Sequence, residues 1–296
     1  MATTIGFISE KGGVGKTTTC YHIAIALQRY NELNVLCVDT DYQRGGLTCR
    51  FKPDLIEHFT DKTSTADVTL YDEFQRLYSS GEGHLDVEIL NVQNGLDLMP
   101  ADPRLSQVTV EKLPASNNIR ENNQRLWSHL ALIDSVLQEF HEQYDYILID
   151  SHPELSDLLR SVIYASDYCV SPVKLDLQST IGVPSAQEAI NSVNEDMEAI
   201  ATTTGSDRSY SPTEFSGAIA VMTREYSDSL IATQAREYRR LQRSGGVFES
   251  YVTEGDGLRQ AAQQRCPVFN IDGPNADKQS AQYMQVANEL MMRCPP

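Results

Sequence analysis

Glu10-Lys11-Gly12-Gly13-Val14-Gly15-Lys16-Thr17-Thr18 is the stretch on which the fold turns. Upstream, Thr3-Thr4-Ile5-Gly6-Phe7-Ile8-Ser9 reads as a short buried strand; downstream, Thr18 to Tyr30 reads as a helix. A glycine-rich turn in that context, closed by lysine and threonines, is a phosphate-binding loop. Small residues let backbone N–H groups close around the β- and γ-phosphates of a nucleotide, and a helix starting near Lys16 points its positive end at them. Gly12, Gly13, Val14, Gly15 and Thr18 form the cradle, Lys16 supplies a point charge, and Thr17 offers its hydroxyl to Mg²⁺. Lys11 stands where the general pattern has its first glycine, so the loop carries two lysines.

Two further apolar runs end in acids: Val35-Leu36-Cys37-Val38-Asp39-Thr40-Asp41 and Tyr146-Ile147-Leu148-Ile149-Asp150. Such runs are strands buried on both faces, and they place Asp39, Asp41 and Asp150 at the C-terminal edge of a parallel sheet, where ligands bind in doubly wound folds. The expected fold is therefore α/β, a doubly wound and mostly parallel sheet with helices on both faces. Asp150 is expected to hold Mg²⁺ through its water shell, because Mg²⁺ sheds water reluctantly and is shared between few carboxylates and the phosphates.

Lys11-Gly12-Gly13-Val14-Gly15-Lys16-Thr17 resembles the deviant Walker A motif of the ParA/MinD ATPases, and most closely that of ParA-type partition ATPases. The likeness runs over nearly the whole chain. Asp39-Thr40-Asp41-Tyr42-Gln43 resembles the family's first switch, Asp150-Ser151-His152-Pro153 its Walker B strand end and second switch, and Gly257-Leu258-Arg259-Gln260-Ala261 a late segment carrying DNA-binding arginines. Two positions depart from the pattern: Tyr42 stands where the family usually has proline, and His152 where a small residue or proline is commoner. The resemblance implies ATP and Mg²⁺ as ligands, a homodimer formed on ATP, and slow hydrolysis stimulated by a ParB-like or cargo-adaptor partner. It implies that Asp41 orients or activates the attacking water and that Asp39 sits beside the metal with Thr17 and Asp150. It also implies that Lys11 reaches the nucleotide of the other subunit, so that Lys11, Lys16 and Asp41 carry the chemistry.

At 296 residues the chain suits one large domain spanning 1–296, with an irregular insertion around 51–124 holding a helix from Thr69 to Tyr78 and a strand pair, Val87 to Leu90 and Leu96 to Met99. Six cysteines without a C-x-x-C pair, and no signal peptide, point to a reduced, cytoplasmic protein and away from an iron–sulfur relative.

A net charge of −17 ordinarily discourages nucleic-acid binding, but the distribution of charge decides. From Ser229 to Arg243 the only acid is Glu237, while Arg236, Arg239, Arg240 and Arg243 recur at helical spacing opposite Leu230, Ile231, Tyr238 and Leu241. With Arg224 or Arg259, and doubled across a dimer, this stripe suits sequence-independent contact with DNA phosphates and a nucleoid-associated location. A solvated charged face is the bland alternative. No helix-turn-helix precedes the first strand, so operator binding by an N-terminal domain is not expected. A MinD-like membrane-cycling ATPase is the second functional class; Gln282 to Met292 has the apolar residues but Arg293 is the only base nearby, so membrane anchoring is not favoured. A nucleotide-gated regulatory module whose output is partner binding is the third. The motifs do not identify the cargo, whether plasmid, chromosome region or large protein assembly.

Overall fold

The computed structural model describes residues 1–9, 11–79, 86–204, 210–227, 229–243 and 246–296, with Gln178 described by its backbone alone. Glu10, the first residue of the loop stretch, lies outside the described residues. In chain order the elements are β1 (Thr3–Phe7), α1 (Lys16–Asn31), β2 (Val35–Asp39), α2 (Leu47–Phe51), α3 (Ile56–Asp61), α4 (Leu70–Tyr78), β3 (Leu90–Gln93), β4 (Leu96–Met99), α5 (Ile119–Leu130), α6 (Leu132–Leu137), β5 (Tyr146–Asp150), α7 (Asp157–Tyr164), β6 (Tyr168–Lys174), α8 (Leu177–Thr204), β7 (Glu214–Val221), β8 (Glu225–Tyr226), β9 (Ser229–Leu230), α9 (Ala232–Arg243), α10 (Asp256–Gln264) and α11 (Pro274–Arg293).

Among the described residues, seven strands form one sheet in the order β3-β4-β2-β5-β1-β6-β7, and β8 and β9 form a separate hairpin. Every neighbouring pair in the large sheet is parallel except β3 with β4. Strands β1, β2 and β5 are buried at every position, which is why they read as continuous apolar runs. Successive side chains alternate between two helical layers. Ile5, Phe7, Cys37 and Leu148 pack with residues of α1, α10 and α11, whereas Leu36, Val38, Ile147 and Ile149 pack with residues of α4, α6 and α7. The doubly wound sheet expected from the loop and the acid-ended runs is the fold observed.

The 51–124 region contributes to this sheet. Strand β4 runs parallel to β2, from Val35 opposite Leu96 to Val38 opposite Met99, and β3 closes the edge. The expected strand from Val87 to Leu90 begins instead at Leu90, which pairs with Leu98, because the Glu88 N–H donates to Val68 O at 3.0 Å rather than to a strand. The helix expected over Thr69 to Tyr78 is α4, started by a capping box in which the Thr69 side chain accepts from the Asp72 backbone and the Asp72 carboxylate accepts from Thr69 N. No helix among the described residues is long and apolar enough to cross a membrane. The last helix, α11, turns Tyr283, Val286, Ala287 and Leu290 into the core.

A buried histidine joins α11 to the helix that follows the loop. The Val268 N–H donates to His22 Nε2 at 3.1 Å, so His22 Nδ1 carries the proton of the neutral ring and donates to Thr18 O at 2.7 Å; the ring stacks on Tyr283 at 4.5 Å. Burial holds its pKa down at about 3. The unfolded chain takes up a proton below about 6.5 that the native ring refuses, so this contribution to stability is complete above that pH and is lost as pH falls toward 3. The stability advantage of the parent over His22→Asn is expected to shrink by about 2 kcal/mol between pH 7 and pH 5. Urea-unfolding midpoints of both proteins at the two pH values check this, and an unchanged difference contradicts it.

Candidate nucleotide site

The strand register assembles the site. Phe7 and Asp39 both lie opposite Asp150, so the loop after β1 and the carboxylates ending β2 and β5 share one sheet edge. From Phe7 the chain reaches α1 through Gly13 (φ 73°) and Gly15 (φ 92°), left-handed conformations that glycine adopts without cost. Gly15 is the N-cap of α1 and offers no side-chain cap, leaving the first N–H groups of the helix free to meet an anion.

Lys16, the first residue of α1, is buried and crosses to β5. Its Nζ lies 3.3 Å from Asp150 Oδ1 and donates to the Ser151 carbonyl. Asp150 is wholly buried, and its Oδ2 has no hydrogen-bond partner among the described residues. A buried carboxylate oxygen with one cation on its other side and nothing on this one is a site for a further cation. Among the described residues no three acidic, histidine or cysteine side chains converge on one point, so these residues alone build no metal cage. That fits Mg²⁺, which keeps most of its water and leans on phosphates. Thr17 and Asp150 would hold the metal, whose chemistry is to neutralise charge developing on phosphate oxygens.

Asp39 and Asp41 divide differently from what their spacing suggests. Asp39 is wholly buried and both oxygens are engaged: Oδ1 accepts the Asp41 N–H at 3.0 Å and Oδ2 accepts the Thr48 N–H at 2.6 Å. Burial, then the neighbouring Asp150, pushes its carboxyl up to about 8. Asp39 therefore organises the loop from Thr40 to Thr48 as well as bordering the site. Asp41 Oδ1 accepts the Gln43 N–H at 3.0 Å, and burial raises its pKa, with Lys16 opposing. His152 Nε2 lies 3.9 Å from the same oxygen. The Lys11 backbone exchanges hydrogen bonds with Ser9 Oγ at 3.2 Å, and its half-buried side chain has no hydrogen bond or ion pair among the described residues.

Three features escaped sequence reasoning. Arg50 Nη2 donates to Thr18 Oγ1 at 2.9 Å, placing a guanidinium beside the loop; it sits in a five-residue helix with no pattern to mark it. A cleft of about 460 Å³ opens next to Thr18, between Cys49 and Arg50 on one side and Met222, Gly255 and Leu258 on the other. Glu254 ties together two arginines 35 residues apart in the chain, accepting from Arg224 Nε and Arg259 Nη2 at 2.9 Å each. Their charge is thus offset locally. On α9, Arg236, Arg239, Arg240 and Arg243 are all exposed, with Leu241 buried beneath them; among the described residues only Arg240 of the four forms an ion pair, 3.8 Å from Glu237. The stripe and the Arg224–Glu254–Arg259 cluster are joined through Gln234, whose Oε1 accepts the Arg224 N–H at 2.6 Å.

The family model described as an AAA domain matches residues 2–202, more than half of the chain. A ParA family protein of Chlamydia muridarum is 31% identical over 173 residues, 57% of this chain and 58% of that one. The chromosome-partitioning ATPase Soj of Thermus thermophilus is 30% identical over 179 residues, covering 60% of this chain and 57% of its own. The matched stretch thus spans less than two thirds of the length of these relatives. In fold, the chain is similar to Cyanothece McdA solved with ATP, with a TM-score of 0.70 over 97% of this chain and 96% of that one at 17% identity. Loop, register and relatives agree, and the chain belongs to the ParA/MinD-type ATPases.

Proposed function

We propose that this chain is an ATPase that dimerises on ATP, binds DNA without reading its sequence, and positions or segregates a cargo, with hydrolysis resetting the dimer. The observation that carries the hydrolytic part is the Lys16–Asp150 pair at the uncapped start of α1, with one Asp150 oxygen left open. Phosphates would take over Lys16 and the free N–H groups of α1, Thr17 and Asp150 would hold Mg²⁺, and the cleft beside Thr18 would receive the base and ribose. Asp41 would accept the proton of the attacking water. Lys11, with its side chain uncommitted, would reach the nucleotide of a second subunit and offset charge developing on the transferred group, as an arginine finger does. Completion of the site by a second chain, and by a ParB-like or adaptor partner, accounts for slow intrinsic turnover.

The exposed arginines of α9 support the DNA part, since phosphate contacts require local positive charge rather than a positive protein. Soj of Thermus, a chromosome-partitioning ATPase by name, points the same way. A cytoplasmic, nucleoid-associated location follows from this reading.

Purified protein mixed with a random-sequence duplex should bind only with ATP or a non-hydrolysable analogue, and more weakly as salt rises. Replacing Arg236, Arg240 and Arg243 by Ala should cut DNA affinity about ten-fold or more and flatten the salt dependence, while sparing ATP-driven dimerisation. Equal affinity of parent and triple variant sinks the arginine-stripe assignment. Absence of DNA binding in every nucleotide state sinks the DNA-dependent reading.

A further inference from the structure

The two residues that depart from the family pattern touch each other. Tyr42, in the loop after β2, and His152, in the loop after β5, stack with ring centroids 4.1 Å apart and planes 15° from parallel. The stack fixes the plane of the imidazole and ties the two loops together.

Which edge of that imidazole faces Asp41 follows from hydrogen bonding. The Glu154 N–H donates to His152 Nδ1 at 3.3 Å, so Nδ1 is the acceptor and the neutral ring carries its proton on Nε2. That Nε2 is buried, has no hydrogen-bond partner among the described residues, and lies 3.9 Å from Asp41 Oδ1. The separation is about 1 Å too long for a direct bond. A buried donor left unsatisfied is costly, and one aimed at a carboxylate across so small a gap is poised to close it.

We infer that His152 is a positioning residue for Asp41, donating its Nε2 proton to the carboxylate directly or through one water while Tyr42 holds the ring in plane. Pinning one oxygen leaves the other free to take the proton of the attacking water, and limits the freedom that the loop gains from tyrosine in place of proline. The inference rests on the hydrolytic reading proposed above.

The test compares kcat and KM for ATP, with Mg²⁺ and duplex DNA present, in parent, His152→Leu and His152→Gln, together with Lys16→Ala as the inactive reference. His152→Leu keeps an apolar side chain without the donor and should lose about ten-fold or more in kcat, with KM within about two-fold of the parent. His152→Gln, which keeps an N–H at similar reach, should recover most of the loss. Equal kcat in parent and His152→Leu overturns the inference, as does an equal loss in both variants when their melting temperatures match the parent. A parent no faster than Lys16→Ala overturns the hydrolytic reading itself, and this inference with it. Nitrogen NMR of labelled histidines, with His152 assigned by its disappearance in His152→Gln, reads the tautomer without turnover: a proton on Nε2 is expected, and one on Nδ1 overturns the inference.

Discussion

Lys16→Ala is expected to weaken ATP binding by about a hundred-fold or more, because it removes the one buried cation that, among the described residues, lies between the loop and β5, and charge-assisted contacts to phosphate contribute about 1.5–3 kcal/mol each. A second effect is tied to the first. In the parent, Lys16 Nζ satisfies Asp150 Oδ1 and the Ser151 carbonyl in a buried setting. Without it, Asp150 is left with both oxygens unpartnered among the described residues, and breaking one side of a buried pair costs about 3–5 kcal/mol. The variant should therefore unfold at lower urea than the parent in the absence of nucleotide, and nucleotide should restore little of the loss. Titration with a fluorescent ATP analogue and urea denaturation measure the two effects separately. A folded Lys16→Ala protein that still binds ATP at micromolar concentration contradicts the phosphate-loop assignment.

Asp41→Ala should behave in the opposite way toward nucleotide. Asp41 feels the Lys16 charge but, among the described residues, shares no hydrogen bond or ion pair with it; its hydrogen bonds run within its own loop, to Asp39 and Gln43. Nucleotide binding should be retained within a few-fold, while hydrolysis falls by about a hundred-fold, the usual scale for losing a positioned proton acceptor. The ATP-bound dimer should then persist far longer than that of the parent. Single-turnover hydrolysis gives the rate, and dimer lifetime after dilution gives the trapping. Equal lifetimes in parent and variant would remove Asp41 from its role in activating water. Substituting Asp39 should be disruptive in a different manner, since it unties the Asp41 and Thr48 N–H groups and so disorders the loop that presents Asp41.

Much of the site was legible in the chain because its signals are local or periodic. A strand, a glycine-rich turn and a helix start follow one another between Thr3 and Lys16, and acids at the ends of apolar runs must sit at the C-terminal edge of a parallel sheet. Strand β3 was less legible: its position depends on the Glu88 N–H finding Val68 O, a contact outside the strand pattern.

By itself, the sequence determined the class of fold, the phosphate loop, the acids facing it and the exposed arginine face of α9. These follow from periodicity and from backbone rules that act over a few residues. Only the tertiary structure decided which oxygens are free and which are spent: Asp39 engaged by Thr48, Asp150 left open on one side, and Glu254 bridging Arg224 and Arg259. It also brought His152 onto Tyr42 and within reach of Asp41. The His152 contacts join loops that follow different strands, and Glu254 reaches Arg224 across 30 positions of the chain. Such contacts are set by strand register and packing, and no spacing in the sequence encodes them.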